Sequence, residues 1–367
     1  MRIIITGGGT GGHIYPALSI ANGLINKFNQ SEILYVGSEQ GLEKDFAIRE
    51  GFAFKGVAVA GLPRPLSFKT VGVLFKNFQG LAQSSKVIAK FKPDLVVGSG
   101  GYACGPIMLA AALKGVPTLL HEQNAVMGLT NRILSRFVDV VCLTFPVNNL
   151  PDTKKYKYVL TGLPVRQNIM KSSRAKGVAA LGLKHDCKTI LITGGSQGAK
   201  HLNETVASLW RELIARNIQI IHIAGPKLFA AMQEEAVKQG LGAADGLYIY
   251  DYLHNMSDAL WAADVIIGRA GASFLAEVAA VGRASVLVPY PYAAGNHQEA
   301  NAKALADVGG ATMILDKDLT AANLKEAVLA VLEDAALQRS MENSALMQGH
   351  SDALQNIIQE ALKITEK

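Results

Sequence analysis

The sequence IIITGGGTGGHIYPAL at residues 3–18 decides which fold the chain adopts. Its first residues are β-branched and apolar, which is typical of a buried strand, and a glycine-rich turn and a helical pattern follow. Gly7, Gly9 and Gly12 have the spacing G-x-G-x-x-G, at which a helix N-terminus presents backbone N–H groups to an anion. The stretch therefore predicts an α/β domain that opens with a phosphate-binding loop, with His13 at the edge of that loop.

A second copy of this pattern follows 187 residues later, because ILITGG at residues 190–195 repeats IIITGG at residues 3–8. Short β-branched runs alternate with helical stretches along the chain, which is typical of parallel sheets wrapped by helices. The first helix is expected over residues 16–28, since proline suits a first helical turn. The predicted strands are RIIIT, ILYVG, LVVG, PTLLH and VVCLT in the first half, and KTILITGG, IQIIHIAG, LYIYDYL, DVIIGRAG and ASVLVPYP in the second.

The length of 367 residues is sufficient for two domains. A connector is expected at residues 158–168, YVLTGLPVRQN, which contain Gly162 and Pro164. We therefore expect two Rossmann-like, doubly wound domains, residues 1–162 and 163–340, facing each other across a deep ligand-binding cleft. Residues 341–367 form a helical C-terminal segment, for which packing on the first domain is one of two open alternatives.

Composition and charge limit the function classes. The chain is 49% hydrophobic and 18% charged, has no apolar run of the roughly 18 residues that span a membrane, and starts with a strand pattern rather than a signal peptide. A cytoplasmic location follows as an expectation, with Cys104, Cys142 and Cys187 as buried thiols rather than disulfides or zinc ligands. Residues 1–160 carry 17 Lys and Arg against 9 Asp and Glu, whereas residues 161–367 carry 19 against 21, so we expect an anionic partner, other than nucleic acid, for the first half.

Two further segments of the first half place polar or glycine residues directly after predicted strands. VGSGGYACGP at residues 97–106 is a second glycine loop, and HEQNAVMGLTNR at residues 121–132 begins with four polar residues. Because idle polar groups beside a buried sheet are costly, at least one of these four is expected to face the cleft. Ligand-free tight turns and a structural, hydrogen-bonded His121 remain the alternatives.

The second half contains the more informative pattern. TGGSQGAK at residues 193–200 repeats the loop, and RAGAS at residues 269–273 is a small-residue turn into a helix, which suits an anion. Glu277, one turn into that helix, is placed to accept both hydroxyls of a ribose whose phosphates lie at the helix start. His297, Gln298 and Glu299, in NHQEAN, are typical of residues that pair with hexose hydroxyls.

Six segments in order, TGGGTGGHIYPAL, VGSGGYACGP, HEQNAVMGLTNR, TGLPVR, TGGSQGAK and RAGASFLAEVAAVGRASVLVPYP with NHQEANA, closely resemble the inverting glycosyltransferases of the GT-B type. Within that type they resemble the family 28 N-acetylglucosaminyltransferases of bacterial peptidoglycan synthesis, over nearly the whole chain. The resemblance implies transfer of GlcNAc from UDP-GlcNAc to the C4 hydroxyl of the MurNAc of lipid I (undecaprenyl-pyrophosphoryl-MurNAc-pentapeptide), which forms lipid II. It also implies a peripheral position at the cytoplasmic face of the inner membrane, and other cell-wall synthesis or division proteins as possible partners.

The resemblance assigns residue roles position by position. His13 matches a histidine that acts either as general base or in positioning the acceptor pyrophosphate, and histidine has a suitable ordinary pKa for the former. His297 stands where some members have glutamine, which leaves its role open. Residues matched to UDP-GlcNAc contacts are Thr10, Gly11, Gly12, Asn124, Arg166, Ser196, Leu253, Ala272, Ser273, Phe274, Leu275, Ala276, Glu277 and Gln298. The acceptor and phosphate loops supply Gly9, Gly101, Tyr102 and Glu122.

No metal and no cofactor are expected, because a helix N-terminus after Arg269 stabilises the leaving UDP without one. The segment between Glu50 and Asp94 contains no acidic residue and seven basic ones. Within it Val71, Leu74, Phe75, Phe78 and Leu81 have helical spacing. We expect a patch that binds anionic lipid, formed by Lys69, Phe75, Lys76 and Phe78; the alternative is a core-packed stripe with solvated lysines.

Three other functions stay open at this point. An NAD-dependent oxidoreductase fits the first glycine loop alone but does not explain the second loop or Glu277 with Gln298. A UDP-GlcNAc 2-epimerase of the same fold would need no lipid, so the basic apolar segment disfavours it. A non-catalytic, membrane-docking UDP-sugar-binding subunit would have no use for His13 and Asn124.

Overall fold

The computed structural model describes residues 1–28, 30–61, 69–146, 157–166 and 168–366. The chain forms two compact units. Unit 1 comprises Met1–Pro164 together with Ser351–Lys367, and unit 2 comprises Val165–His350. Each unit is built around its own parallel sheet, so the prediction of two parallel-sheet α/β domains is confirmed.

The sheet of unit 1 has seven parallel strands in the order β3-β2-β1-β4-β5-β6-β7. The order reverses between β1 and β4, which are paired from Ile3 opposite Leu95 to Thr6 opposite Gly98. Ligands of such sheets bind at the carboxyl ends beside the reversal. The strands are β1 Arg2–Thr6, β2 Glu32–Ser38, β3 Ala53–Val57, β4 Leu95–Gly98, β5 Thr118–Glu122, β6 Val140–Leu143 and β7 Lys157–Leu160. Its first helices are α1 Gly11–Lys27, α2 Glu43–Arg49, α3 Lys69–Phe91, α4 Gly105–Leu113 and α5 Leu129–Leu134.

The sheet of unit 2 repeats this topology in the order β10-β9-β8-β11-β12-β13, with the reversal between β8 and β11. Its strands are β8 Lys188–Thr193, β9 Ile218–Ile223, β10 Leu247–Tyr250, β11 Val265–Gly268, β12 Ala284–Leu287 and β13 Ala311–Met313. Its helices are α6 Arg174–Ala180, α7 Lys200–Ala207, α8 Trp210–Ala215, α9 Phe229–Gln239, α10 Met256–Ala262, α11 Ala272–Val281, α12 His297–Ala306, α13 Ala321–Glu333 and α14 Ala335–Gln348.

The last helix, α15 (Ala353–Thr365), belongs to unit 1, where it packs on α1. Ile357 and Ile358 are buried in the same cluster as Ile3 and Ile5. Gly23 permits the close approach of the two helices, since a Cβ there would lie 2.7 Å from a Leu354 methyl carbon. Burying an isoleucine contributes about 1.5–3 kcal/mol, so this face holds α15 on unit 1.

Two details differ from the sequence prediction. The strands β3, β7 and β13 were not predicted, and all three lie at sheet edges, where one side lacks a neighbour and the apolar run is broken. The helix predicted from Pro16 begins five residues earlier, at Gly11, after an extended Thr10. His13 therefore lies within the first turn of the helix rather than at the edge of the loop before it, and Pro16 lies inside the helix.

Candidate functional site

His13 lies at the carboxyl ends of the central strands of unit 1, in the first turn of α1. Its Nδ1 is 2.8 Å from Oε1 of Gln123 and 3.0 Å from the carbonyl oxygen of Ser99. The hydroxyl of Ser99 donates to the carbonyl of His13 at 2.6 Å. The Nδ1 edge of the ring is thereby fixed by the loops that follow β4 and β5, and His13 is half-buried.

The hydrogen bonds continue from His13 into the sheet. The Gln123 amide nitrogen lies 3.0 Å from Nδ1 of His121 and donates to the His121 carbonyl at 3.1 Å. Nε2 of His121 is 2.9 Å from the carbonyl oxygen of Gly162. His121 is fully buried, and this burial lowers its pKa to about 4, with the His13 ring lowering it further and the bond to Gly162 opposing the shift. The ring is therefore neutral near pH 7.

The glycine loop after β1 is filled by side chains of unit 1 itself. A Cβ on Gly8 would lie 2.5 Å from the carboxyl carbon of Glu43, and one on Gly7 would lie 1.9 Å from the Ser99 hydroxyl. The Glu43 carboxylate is fully buried and accepts the N–H groups of Ser38, at 2.8 Å, and Gly9, at 3.4 Å. A protein carboxylate thus lies where a dinucleotide phosphate would approach, which disfavours the oxidoreductase alternative.

Gly101 and Tyr102, expected in a phosphate loop, pack against this same segment. A Cβ on Gly101, whose φ is +79°, would lie 2.0 Å from the carbonyl oxygen of Gly8. The ring of Tyr102 covers Gly9, and partial burial, followed by the charge of Glu43, raises the pKa of its hydroxyl.

The Glu122 carboxylate organises the loop between β5 and α5. Oε1 accepts the backbone N–H of Asn124 at 3.0 Å, and Oε2 accepts the N–H of Gly128 at 3.0 Å and the amide of Asn131 at 2.9 Å. Glu122 is 1% exposed, whereas Asn124 is half-buried at the edge of the loop. Glu122 therefore holds the backbone that carries Asn124.

In unit 2 the equivalent turn precedes α11. Gly271 is extended at the helix N-terminus, no side chain caps it, and a Cβ there would meet no described atom within 4 Å. Ala272 is the first residue of α11, and Ala276 and Glu277 lie one turn further on. Leu275 packs in the core and offers a ligand only its backbone. Uncapped N–H groups at a helix start form an anion site.

Arg166 forms a two-pronged ion pair with Glu277. Its Nε donates to one carboxylate oxygen at 2.7 Å and its Nη2 to the other at 2.9 Å. The Glu277 side chain is 10% exposed and that of Arg166 is 47% exposed. The pair therefore places a buried carboxylate in the second turn of α11 and a more exposed guanidinium beside it.

The turn before α11 is tied to α12. Oε1 of Gln298 accepts the N–H groups of Ala270, at 3.1 Å, and Tyr290, at 3.0 Å. Because both partners are donors, the amide nitrogen of Gln298 points away from them. His297 is the first residue of α12, and its Nδ1 is 2.7 Å from the carbonyl oxygen of Ala294.

Four other predicted positions lie in loops of unit 2 or at the start of α11. Ser196 is exposed in the loop after β8, and Leu253 is half-buried after β10. Ser273 and Phe274 are half-buried in the first turn of α11, with the Phe274 ring over Gly268.

The outer face of α3 is apolar and exposed. Val71, Leu74, Phe75 and Phe78 are exposed by 70%, 57%, 73% and 72%, whereas Leu81 packs on the core. On the inner face, the side chains of Asn77 and Gln83 form hydrogen bonds with the backbone that follows β3. A core-packed stripe is therefore excluded for those four residues. Lys69 begins α3.

Sequence reasoning named His13 and Glu277 but missed Glu43 and Ser99. Glu43 opens an ordinary short helix and lies 34 residues from Gly9 along the chain, so no local pattern marks it. Among the described residues, no helix has both the length and the apolar composition to span a bilayer. Within those same residues, no three His, Cys, Asp or Glu side chains group as a metal site.

Comparisons with known proteins agree with this architecture. Residues 3–143 match the Glycosyltransferase family 28 N-terminal domain, and residues 189–357 match the Glycosyltransferase family 28 C-terminal domain. The UDP-N-acetylglucosamine--N-acetylmuramyl-(pentapeptide) pyrophosphoryl-undecaprenol N-acetylglucosamine transferase of Desulfitobacterium hafniense (strain DSM 10664 / DCB-2) is 46% identical over 364 residues, which cover 99% of both chains. The chain belongs to glycosyltransferase family 28.

Solved structures place this family 28 chain among GT-B proteins. The crystal structure of Acinetobacter baumannii MurG has a TM-score of 0.80 and 31% identity, covering 99% of both chains. The UDP-GlcNAc 2-epimerase from Neisseria meningitidis bound to UDP-GlcNAc has a TM-score of 0.69 at 14% identity, covering 99% of this chain and 100% of that one. The second likeness shows a shared fold alone.

Proposed function

We propose that the chain transfers N-acetylglucosamine from UDP-GlcNAc to the C4 hydroxyl of the MurNAc of lipid I, forming lipid II with inversion at the anomeric carbon. The observation that carries this proposal is the turn before α11, which combines uncapped backbone N–H groups with the Glu277 carboxylate one turn further on. A nucleoside diphosphate needs both, because its pyrophosphate is an anion and its ribose presents paired hydroxyl donors.

Unit 2 is the donor-binding unit in this proposal. The pyrophosphate lies at the N–H groups of Ala272 to Phe274, assisted by Ser196, and Glu277 accepts the ribose hydroxyls. Arg166, already paired with Glu277, supplies positive charge beside the phosphates. Gln298 donates through its amide nitrogen to the sugar, since its oxygen is used by the backbone, and the backbone at Leu253 reads the uracil.

Unit 1 is the acceptor-binding unit. The start of α1, at Thr10, Gly11 and Gly12, has no side-chain cap and offers N–H groups, while Asn124 contacts the transferred sugar. His13 takes the proton of the acceptor hydroxyl as the C4 oxygen attacks the anomeric carbon and UDP departs. Charge developing on UDP is stabilised by the N-terminus of α11.

Acceptor-dependent UDP release tests this function. Purified protein is incubated with UDP-GlcNAc, with and without a lipid I analogue, and UDP and the glycosylated product are measured. The proposal requires that both appear only with the analogue. UDP release or sugar epimerisation without the analogue would instead indicate hydrolysis or a 2-epimerase, and binding without turnover would indicate a non-catalytic subunit.

We further propose that the exposed face of α3 places unit 1 on an anionic membrane, at the cytoplasmic face of the inner membrane, where lipid I is available. Phe75 and Phe78 insert their rings, and Lys76 with Lys69 contributes attraction worth about 1 kcal/mol per charge near the surface. The exposed fractions above 70% for both rings support this proposal.

Vesicle sedimentation tests the membrane proposal. The double variant Phe75→Ser, Phe78→Ser is expected to lose most of its binding to phosphatidylglycerol-containing vesicles. The matched control is Val237→Ser with Met347→Ser in unit 2, whose side chains are each 78% exposed. Equal loss in both double variants, or equal binding of the native chain to neutral and anionic vesicles, would contradict the proposal.

A further inference from the structure

The hydrogen bonds behind His13 determine where its proton lies. The carbonyl of Gly162 only accepts, so His121 carries its proton on Nε2, and its Nδ1 is then an acceptor in the neutral ring. The Gln123 nitrogen faces two acceptors, this Nδ1 and the His121 carbonyl oxygen. Two acceptors therefore hold the Gln123 amide in the same orientation, with its nitrogen toward His121.

The other end of the amide fixes His13. With its nitrogen held by His121, Gln123 presents Oε1 to Nδ1 of His13 at 2.8 Å, and the Ser99 carbonyl lies 3.0 Å from the same nitrogen. Both are acceptors, so Nδ1 of His13 must carry the proton in the neutral ring. The lone pair of the neutral ring is then on Nε2.

We propose that Gln123 is a positioning residue that, held by His121, sets the tautomer of His13 so that Nε2 is the proton-accepting atom. The inference rests on the proposed function, in which His13 accepts the hydroxyl proton of the acceptor. In the opposite tautomer Nε2 would carry a proton and could not act as a base. In the step itself the acceptor proton moves to Nε2, the ring becomes an imidazolium, and its Nδ1–H remains bonded to Gln123.

Burial supports the arrangement. Gln123 is 2% exposed and His121 is fully buried, so water does not compete for these bonds. Burial also keeps His121 neutral, and a protonated His121 would present a donor on Nδ1 and turn the amide. His13 itself is half-buried, so part of the residue remains accessible to solvent.

The test reads the tautomer directly. Histidine is labelled with ¹⁵N, the His13 ring signals among the eight histidines are assigned by their loss in His13→Asn, and spectra are recorded without substrate. The native chain is expected to carry the neutral proton on Nδ1. Gln123→Met leaves only the Ser99 carbonyl as an acceptor for this proton, so it is expected to raise the fraction of the Nε2–H tautomer. Gln123→Glu, which keeps an oxygen at the same place, is expected to restore Nδ1–H.

The matched control is Gln219→Met. Gln219 is also 2% exposed and also bonds through both ends of its amide, to the backbone of Lys184 and to Thr189, in unit 2. Its loss is expected to leave the His13 signals unchanged. In turnover, Gln123→Met is expected to lower kcat about tenfold, a part of the usual contribution of a general base, with the KM for UDP-GlcNAc unchanged.

The outcomes separate the two claims. A native His13 protonated on Nε2, or a Gln123→Met spectrum identical to the native one, would overturn the inference even if His13→Ala abolishes turnover. If Nδ1 is protonated as expected but His13→Ala retains turnover, the base role fails while the tautomer assignment holds.

Discussion

The strands β1 and β8 run into similar glycine-rich turns, but the two turns have different surroundings. Each of these strands ends at a threonine, Thr6 or Thr193, and two glycines follow it directly. A Cβ at Gly8 in the first turn would lie 2.5 Å from the carboxyl carbon of Glu43, whereas a Cβ at Gly195 in the second would meet no described atom within 4 Å. A glycine-rich loop is therefore not by itself a phosphate site, because a side chain from elsewhere in the fold can fill it.

The second pair of turns shows the same contrast. After β4, Ser99 and Gly101 pack against the first loop and fix His13. After β11, Arg269 turns away to the carbonyls of Val288 and Pro289 and pairs with Asp316, and Gly271 stays open. In our account unit 1 uses its switch point to fix a catalytic side chain, and unit 2 uses its own to bind the nucleotide.

The largest effect is expected at His13. His13→Ala is expected to lower kcat by about 10²–10⁴, the usual contribution of a general base, without weakening UDP-GlcNAc binding measured by calorimetry. His185→Ala, an exposed histidine of unit 2, serves as control. A fall in kcat of less than about tenfold would contradict the base role.

Acid is expected to destabilise unit 2 through His222. Burial lowers the pKa of His222 to about 3, while in the unfolded chain it is near 6.5. The unfolded state therefore binds the proton first, so this stabilisation is complete above pH 6.5 and is lost as the pH falls toward 3. Between pH 6.5 and 4.5 the loss is about 2 kcal/mol.

Urea unfolding followed by tryptophan fluorescence measures this effect. Trp210 packs on His222 at 5.6 Å between ring centroids, so it reports on unit 2. His222→Phe is expected to flatten the pH dependence by about 2 kcal/mol, the proton linkage of one such group between pH 6.5 and 4.5. His185→Gln is expected to leave it unchanged. Equal pH dependence in both variants would show that another group is responsible.

Substitution of Glu277 tests whether the turn before α11 in unit 2 binds UDP-GlcNAc. Glu277→Ala is expected to weaken UDP-GlcNAc binding by about 10- to 100-fold, because hydrogen bonds to a charged group are worth about 1.5–3 kcal/mol. Glu326→Ala, exposed on α13, is the control. Unchanged affinity, measured by calorimetry, would show that Glu277 does not bind the ribose.

The smallest expected effects concern the glycines. Gly8→Ala is expected to destabilise the chain by about 1–3 kcal/mol through overpacking against Glu43, and by less in a Glu43→Ala background. Gly271→Ala is expected to cost below about 1 kcal/mol, the usual change at a helix N-cap, but to weaken UDP-GlcNAc binding. Additive losses for Gly8→Ala and Glu43→Ala would contradict the filled-loop description.

The sequence was sufficient for the fold class because central parallel strands are buried on both faces and form continuous apolar runs. The edge strands β3, β7 and β13 lack that pattern; in β3 the exposed Ala53 and Lys55 interrupt it. The start of α1 was missed because Gly11 and Gly12 are poor helix formers.

The candidate residues of the site could also be proposed from motifs, but their contacts could not. Glu43 and Ser99 reach the first loop only through the packing of β2, α2 and β4 around β1. The orientation of Gln298, with its oxygen on Ala270 and Tyr290, likewise depends on how α12 lies beside α11. Such pairings are set by tertiary structure, and no spacing along the chain reveals them.

Hydrogen exchange with and without UDP tests the central contrast most directly. We expect slower amide exchange on UDP addition at residues 270–277 and 194–199, with no change at residues 7–13. Slowing confined to residues 7–13, with residues 270–277 unaffected, would contradict the assignment of the nucleotide to unit 2.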